Sequence, residues 1–301
     1  GGNLVSTSTG TVGVSGSATV FGTDSASIVS GVANFTDLGM NLAGSHSLVF
    51  TSSGLVPTSA VVNVTVGPPA GLELAYGLAP AQAGTPFGLQ PSVRVLDRGG
   101  NLVPTAVNLV SASVVETPRV SWDPVQFPAQ SAAVQLLGNT SLTAMGGVAN
   151  FSNLRINEAR ANYRIMFVSA GLVPVLSEFF PVVVGPLASL AVTRQPTGST
   201  GGIALAVQPQ VVALDLGGNI LNTSANLYAE LIDSNNRSAV FFGQSSLVAN
   251  ASGYHTFTNL VVNLAGNYTW RFRLSSINTS SSVFTVSVGP AAALAIGQQP
   301  S

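Results

Sequence analysis

The most specific chemistry in this sequence is the Asn-x-Ser/Thr triplet, which accepts N-linked sugar in secreted proteins. Nine such triplets occur, none with Pro in the middle: Asn34, Asn63, Asn139, Asn150, Asn222, Asn236, Asn250, Asn267 and Asn278. Asn34 and Asn150 occupy equivalent points of a repeated motif, each beside a Phe that is expected to point inward, so both should point outward. Only 7% of the residues are charged, against roughly 25% in ordinary soluble domains. We therefore expect covalently attached glycans at several of these positions to solubilise the chain.

Other residue types that carry chemistry are few and scattered. Asp97 and Asp215 each begin an Asp-x-Gly-Gly-Asn stretch. A calcium loop needs several carboxylates, so we interpret these two as caps of a turn. His46 and His255 are not at equivalent positions, and without Cys they form no recognisable zinc set. The sequence has no nucleophile elbow and no phosphate loop. We expect no catalytic residue, cofactor-binding residue or metal ligand, hence no enzyme.

The composition excludes several partners. The net charge is −1, so no electrostatic field directs the chain to nucleic acid or to an anionic lipid surface. Cys is absent, which excludes a disulfide framework. No apolar run reaches the 18 residues that a membrane span requires.

The chain repeats three landmarks in order. The first is Asp-x-Gly-Gly-Asn at 97–101 and 215–219, and the chain itself starts with the matching Gly-Gly-Asn. The second is Gly-Val-Ala-Asn-Phe at 31–35 and 147–151, with a looser copy at 253–257. The third is Val-Gly-Pro at 66–68, 184–186 and 288–290, between two apolar runs. Because Pro ends a sheet ladder, we interpret each Val-Gly-Pro as a joint between domains with no spare linker.

The landmarks predict four segments. Residues 1–66 are an incomplete repeat whose first strands are missing, and residues 67–184 and 185–288 are complete repeats. Residues 289–301 are the first strand of a further repeat, and residues 291–296 are expected to pair with the first repeat of a neighbouring copy. The first two landmarks are 30, 48 and 36 residues apart in successive copies, which indicates an inserted loop near 114–130 in the second repeat. This loop carries Trp122, either packed on its own domain or contacting a partner.

The secondary-structure signal is alternation with a period of two between Gly, Pro and Asn turns, which predicts an all-β chain of antiparallel β-sandwiches. Tyr268, Trp270, Phe272 and Leu274 share one face of a strand, as do Tyr163, Ile165 and Phe167, and His46, Leu48 and Phe50. Val62, Val64 and Val66 are likewise expected to point inward, between the outward Asn63 and Thr65. Tyr268 follows a Leu-Ala-Gly turn, as in the tyrosine corner of Greek-key sandwiches, where the hydroxyl bonds to upstream backbone. Tyr163 and His46 fill the same position in the other copies.

These short motifs resemble tandem bacterial-type Ig-like repeats, of which invasin- and intimin-like adhesins are examples. They resemble still more the Ig-like arrays of large secreted algal and protist surface glycoproteins, including mastigoneme-type proteins. The resemblance covers the whole chain and implies an extended rod of Ig-like sandwiches at a cell surface. It implies no catalytic or ligand-binding residue.

Together these observations predict a structural component of an extracellular, N-glycosylated filament that self-associates into a polymer. Two alternatives stay open: the stalk or binding region of a cell-surface adhesin, with Trp122 as its contact, and an accessory region of a secreted enzyme.

Overall fold

A computed structural model describes residues 2–116, 134–291, 293 and 297. Within these ranges the regular structure is entirely β-strand. None of the described residues forms a helix long and apolar enough to cross a bilayer. The strands fall into three successive units that meet near Gly67 and Gly185.

The second unit is a sandwich of two sheets. Its strands are Gly71–Leu74 (β8), Ala81–Gln82 (β9), Ser92–Leu96 (β10), Leu109–Glu116 (β11), Leu136–Leu137 (β12), Ser141–Thr143 (β13), Val148–Asn150 (β14), Arg155–Ile156 (β15), Arg160–Val168 (β16), Val175–Leu176 (β17) and Phe180–Val183 (β18). One sheet has the order β14-β10-β8 and the other the order β13-β11-β16-β18-β9, with β17 beside β16. A small pair, β12-β15, completes the unit.

The third unit repeats this arrangement. Its strands are Ser189–Arg194 (β19), Ser199–Thr200 (β20), Gln210–Leu214 (β21), Leu227–Asp233 (β22), Ser238–Ala239 (β23), Ser246–Leu247 (β24), Tyr254–Thr256 (β25), Gly266–Leu274 (β26), Ile277–Ser280 (β27) and Phe284–Ser287 (β28). One sheet has the order β19-β21-β25 and the other β20-β28-β26-β22-β23, with β24 beside β22 and β27 beside β26.

Two strand pairs depart from the expected antiparallel pattern. β9 pairs with β18, and β20 with β28, in parallel. In the second and third units the chain leaves the first sheet after the opening strand, β8 or β19. It then joins the second sheet beside the closing strand, β18 or β28. Opening and closing strands therefore run in the same direction, so the polypeptide enters a unit at one end and leaves it at the other.

The cores lie between the paired sheets, and the alternation predicted for the central strands is confirmed. Tyr163, Ile165 and Phe167 are buried in the second unit. The third unit buries the corresponding side chains of β26, namely Tyr268, Trp270, Phe272 and Leu274. Each set belongs to one continuous apolar cluster. The described chain is thus all-β, and its second and third units are β-sandwiches.

The first unit is organised differently. Its strands are Thr11–Gly16 (β1), Val20–Phe21 (β2), Ser25–Val29 (β3), Val32–Ala33 (β4), Gly39–Met40 (β5), Gly44–Thr51 (β6) and Thr58–Val64 (β7). They form the sheet β4-β3-β1-β6-β7 and a small pair, β2-β5, so no second large sheet covers the first among the described residues. His46 and Leu48 are buried as predicted, but Phe50 is only half-buried.

The prediction that Val62 and Val66 point into a core is wrong. Val62 is 37% exposed and Val66 41% exposed, and the neighbouring Val61 is 72% exposed. For Val62 the reason is that β7 is an edge strand of a sheet whose inner face is not covered by a second sheet in the described residues, whereas Val66 follows β7 and belongs to the joint. The predicted strand at 291–296 lies largely outside the described residues, so its pairing with a neighbouring copy stays a prediction.

Candidate functional site

The site that the sequence organises most clearly is the joint between units, and its centre is the Asp-x-Gly-Gly-Asn turn. The backbone N–H of Asn101 donates to Asp97 Oδ1 at 2.8 Å, and the N–H of Asp97 donates to the Asn101 carbonyl at 2.9 Å. The turn at Asp215 and Asn219 has the same two bonds, at 2.8 and 3.0 Å. The prediction that both aspartates cap a turn is confirmed.

Each aspartate also ties the turn to the joint. Asp97 Oδ2 accepts the N–H of Gly67 at 2.8 Å, and Asp215 Oδ2 accepts the N–H of Gly185 at the same distance. In both cases donor and acceptor are 30 residues apart in sequence. The Gly67 amide is the main reason why the pKa of Asp97 lies below its ordinary value, because it stabilises the charged carboxylate.

The asparagine of the turn then reaches the preceding unit. Asn101 Oδ1 accepts the N–H of Ala43 at 2.9 Å, and its Nδ2 donates to the Asn41 carbonyl at 2.6 Å. Asn219 makes the same pair of bonds with the N–H of Ala159, at 3.0 Å, and the carbonyl of Asn157, at 2.7 Å. One side-chain amide thus satisfies a donor and an acceptor of the neighbouring backbone, as its two ends allow.

Sequence reasoning recognised the Gly-Gly-Asn landmark but missed this role of its asparagine. The signal that could have revealed it is an Asn-x-Ala turn at 41–43, 157–159 and 263–265. The first two copies are the surfaces that Asn101 and Asn219 bind.

Glycines let the backbones approach closely at these joints. A Cβ on Gly99 would lie 2.4 Å from the Asn41 carbonyl oxygen, and one on Gly217 would lie 2.2 Å from that of Asn157. Gly84 has a φ of 78° and its Cβ would lie 2.4 Å from the backbone N of Gly217. Only glycine fits at such positions without displacing the neighbouring backbone.

The predicted tyrosine corner is confirmed, and it holds the turn that the next unit binds. The Tyr163 hydroxyl donates to the Glu158 carbonyl at 3.0 Å, and the Tyr268 hydroxyl donates to the Leu264 carbonyl at 3.0 Å. In the first unit His46 Nε2 lies 2.8 Å from the Leu42 carbonyl. Each accepting carbonyl belongs to the middle residue of an Asn-x-Ala turn, so the corner fixes the surface that receives the following asparagine.

The nine sequon asparagines are all exposed. Asn139 donates to Ser152 Oγ at 3.0 Å, and Asn250 Oδ1 accepts the N–H groups of Ser252 and Tyr254 at 3.0 Å. Trp122 and residues 117–130 of the predicted loop lie outside the described residues. The described residues contain no group of three or more His, Asp or Glu side chains that could hold a metal ion.

His255 is the one fully buried histidine in the described part of the chain, on β25 beside Val211. Its ring nitrogens have no hydrogen-bond partner of ordinary geometry among the described residues. Burial lowers the pKa of His255, although the backbone of Val211 and Ala225 acts in the opposite direction. Burial therefore favours the neutral ring in the folded unit, and the ring lies in the core rather than in a cleft.

No family model matches this sequence. No curated protein matches it either. Solved structures of tandem-domain proteins are similar to it at low sequence identity. A structure of three Ig domains of titin, an E-to-A variant, is 9% identical over 94% of this chain and 93% of that chain, with a TM-score of 0.33. Extracellular domains 3–5 of Drosophila OTK are 10% identical over 82% of this chain and 72% of that chain, with a TM-score of 0.23.

Domains 4–9 of the surface-layer protein SbsC are 15% identical over 96% of this chain, with a TM-score of 0.23. The chain spans 40% of the length of that structure. These neighbours are tandem-domain proteins, and the likeness concerns fold alone.

Proposed function

We propose that this chain is a structural segment of an extracellular, N-glycosylated filament built from tandem Ig-like repeats, without catalytic activity. The observation that carries the proposal is the repeated joint. Two successive junctions use the same turn, the same aspartate-to-glycine bond and the same asparagine bridge to the preceding unit. A joint that fixes each unit against the next suits a load-bearing array better than a flexible tether.

The surface supports an extracellular setting. Nine exposed sequons stand on a chain with only 7% charged residues, and glycans would supply the solubility that charge usually supplies. The resemblance of its motifs to the repeats of algal and protist surface glycoproteins supports the same setting. We propose self-association into a polymer as its mode of assembly.

Two measurements test this proposal on native material. Negative-stain imaging is expected to show long, regular fibres, and dispersed short rods would contradict the filament. The intact mass is expected to fall after enzymatic deglycosylation by the mass of several glycans. An unchanged mass would reject N-glycosylation while leaving the filament to the imaging.

An adhesin stalk is the second candidate, and the inserted segment near 114–130 favours it because it carries one of only two Trp residues in the chain. Aromatic residues are enriched at binding hot spots. A Trp122→Ala chain that folds normally but loses cell adhesion would support the adhesin. Unchanged adhesion would leave the filament as the better account.

A further inference from the structure

The distal end of the third unit carries a further copy of the surface that the first two units present to their neighbours. Its Asn-x-Ala turn at 263–265 is held by the Tyr268 hydroxyl on the Leu264 carbonyl, at the same 3.0 Å as in the second unit. Ala265 is exposed, whereas Ala43 and Ala159 are half-buried beneath the following unit.

The backbone groups used at the two occupied joints are free at this third one. The N–H groups of Ala43 and Ala159 donate to an asparagine, and those of Gly67 and Gly185 to an aspartate. In the part of the chain that the structure describes, no hydrogen-bond partner receives the equivalent N–H groups of Ala265 and Gly289.

The exposed fraction of the valine in each Val-Gly-Pro joint differs in the same way between the two occupied joints and the third one. Val66 and Val184 are 41% and 43% exposed, whereas Val288 is 83% exposed. Gly202 has a φ of 82°, close to the 78° of Gly84, but a Cβ there would meet nothing within 4 Å. Gly84 instead touches the turn of the next unit. The distal surface of the third unit therefore has the same local shape as that of the second unit, but no following unit covers it among the described residues.

We infer that this surface, formed by Gly202, residues 263–265, Val288 and Gly289 and here called the distal receptor, binds the Asp-x-Gly-Gly-Asn turn of a further Ig-like repeat. The carboxylate of that turn accepts the Gly289 N–H, and its asparagine bridges the Asn263 carbonyl and the Ala265 N–H. The central glycine is required because a side chain would strike the Asn263 carbonyl, as it would strike Asn157 at the second joint. The inference rests on the proposed tandem array and specifies which motif binds the distal receptor of the third unit.

The test places a known turn at the required distance. An extended chain carries residues 1–289 followed by a second copy of residues 186–288, so that the copied Asp215 follows Gly289 by the 30 residues seen at both occupied joints. We expect hydrogen exchange of the Ala265 and Gly289 amides to slow at least about tenfold relative to the unextended chain. The amides of Ala159 and Gly185 are the internal reference for an occupied joint.

The matched controls change only the copied turn. Replacing the copied Asp215 by Ala is expected to release Gly289, and replacing the copied Asn219 by Ala is expected to release Ala265. Amide protection within the copied unit shows that it has folded. Fast exchange of both amides beside a folded copy would overturn the inference, while leaving fibre imaging to decide the proposed function. Protection that grows with concentration in the unextended chain would assign the surface to a second copy, and would also overturn it.

Discussion

The second unit places Ala149 and Ile165 where the third places His255 and Trp270. Ala149 pairs with Val93 in the register in which His255 pairs with Val211. The N–H of Ile165 donates to a serine hydroxyl, Ser177 Oγ, at 2.9 Å, and that of Trp270 donates to Ser281 Oγ at 3.0 Å. The backbone is thus held alike around a medium-sized aliphatic side chain, Ile165, in one interior and a large aromatic one, Trp270, in the other.

A glutamine completes this shared frame. Gln208 Nε2 donates to the Leu205 and Leu260 carbonyls at 3.2 and 3.3 Å, and its Oε1 accepts the Leu260 N–H at 3.1 Å. Gln90 makes the corresponding bonds in the second unit, with Phe87 and Leu154. The comparison teaches that polar side chains bound to backbone are common to both units, while single positions of the interior differ between them.

The largest effect on stability is expected from removing the largest side chain of the third unit's interior. Trp270 is fully buried and packs edge-on against Phe241 at a centroid distance of 4.7 Å. Trp270→Ala should cost the third unit about 3–5 kcal/mol, because it leaves a large cavity. Urea unfolding, followed through amide exchange on β22 and β11 separately, measures the loss unit by unit.

Ile165→Ala is the matched change in the second unit, expected to cost about 2–5 kcal/mol there and to leave the third unit unchanged. If either substitution destabilised both units equally, the two interiors would not be independent, and the comparison would fail.

The next effect on stability concerns the glutamine that binds backbone groups in each unit, and it should be equal in the two units. Gln90→Ala and Gln208→Ala each remove the acceptor of one backbone N–H and one donor to each of two carbonyls, which should cost about 1–3 kcal/mol. The exposed Gln244 provides the control, since Gln244→Ala should stay within about 0.5 kcal/mol. A loss confined to one unit would show that the glutamine is not part of a common frame.

A smaller effect should distinguish the third unit from the second by the pH dependence of its stability. His255 is buried and neutral with a lowered pKa, so the unfolded third unit binds a proton more readily than the folded one. Stability is therefore expected to fall as pH drops below about 6.5, the ordinary value of histidine, by at most about 1.4 kcal/mol per pH unit. The second unit, with Ala149 at this position, should not respond in this range.

His255→Ala gives the third unit the residue of the second and should abolish the response. Urea unfolding of both chains at pH 7.5 and 5.5 checks this. A third unit that loses as much stability on acidification after the change as before it would place the sensitive group elsewhere.

The sequence predicted the fold to the level of individual strand faces, because alternation and turn residues are local signals. Tyr163 and Tyr268 were placed in their corners from their spacing alone. The open face of β7 was missed, because alternation at Val62 and Val66 reports which face is apolar and not whether a second sheet covers it. A buried side chain needs a partner surface that distant residues must supply.

The sequence predicts the joint only in part, because its local bonds leave a signal in the sequence and its long-range bonds do not. The cap formed by Asp97 is local, because its acceptor and donor are four positions apart in sequence. Its bond to Gly67 spans 30 residues, and the bridge from Asn101 to Ala43 spans 58. Only the internal repetition of the motifs involved hints at contacts so far apart. Gln90, whose bond to Leu154 spans 64 residues, carries no local signal at all.

The smallest effect is expected at the joint itself and leaves both interiors intact. The lowered pKa of Asp97 means that its bond to Gly67 is fully present above about pH 3.9, the ordinary value of aspartate, and is lost as pH falls through the folded value below it. Asp97→Asn keeps the shape but removes the charge, so it should weaken the Gly67 bond at every pH at which Asp97 is ionised and abolish this acid step. The pH dependence of the Gly67 amide signal in NMR spectra measures both.

Asp215→Asn is the control at the other joint, because it should alter the Gly185 amide and leave Gly67 unchanged. Two results would show that the aspartate does not hold the joint. One is a Gly67 amide signal that stays constant on acidification of the unchanged chain, and the other is an acid step that survives Asp97→Asn. Either would mean that the asparagine bridge, and not the carboxylate, holds the units together. In that case Asn101→Ala, which removes both the Asn41 and Ala43 bonds, should free the first unit from the second.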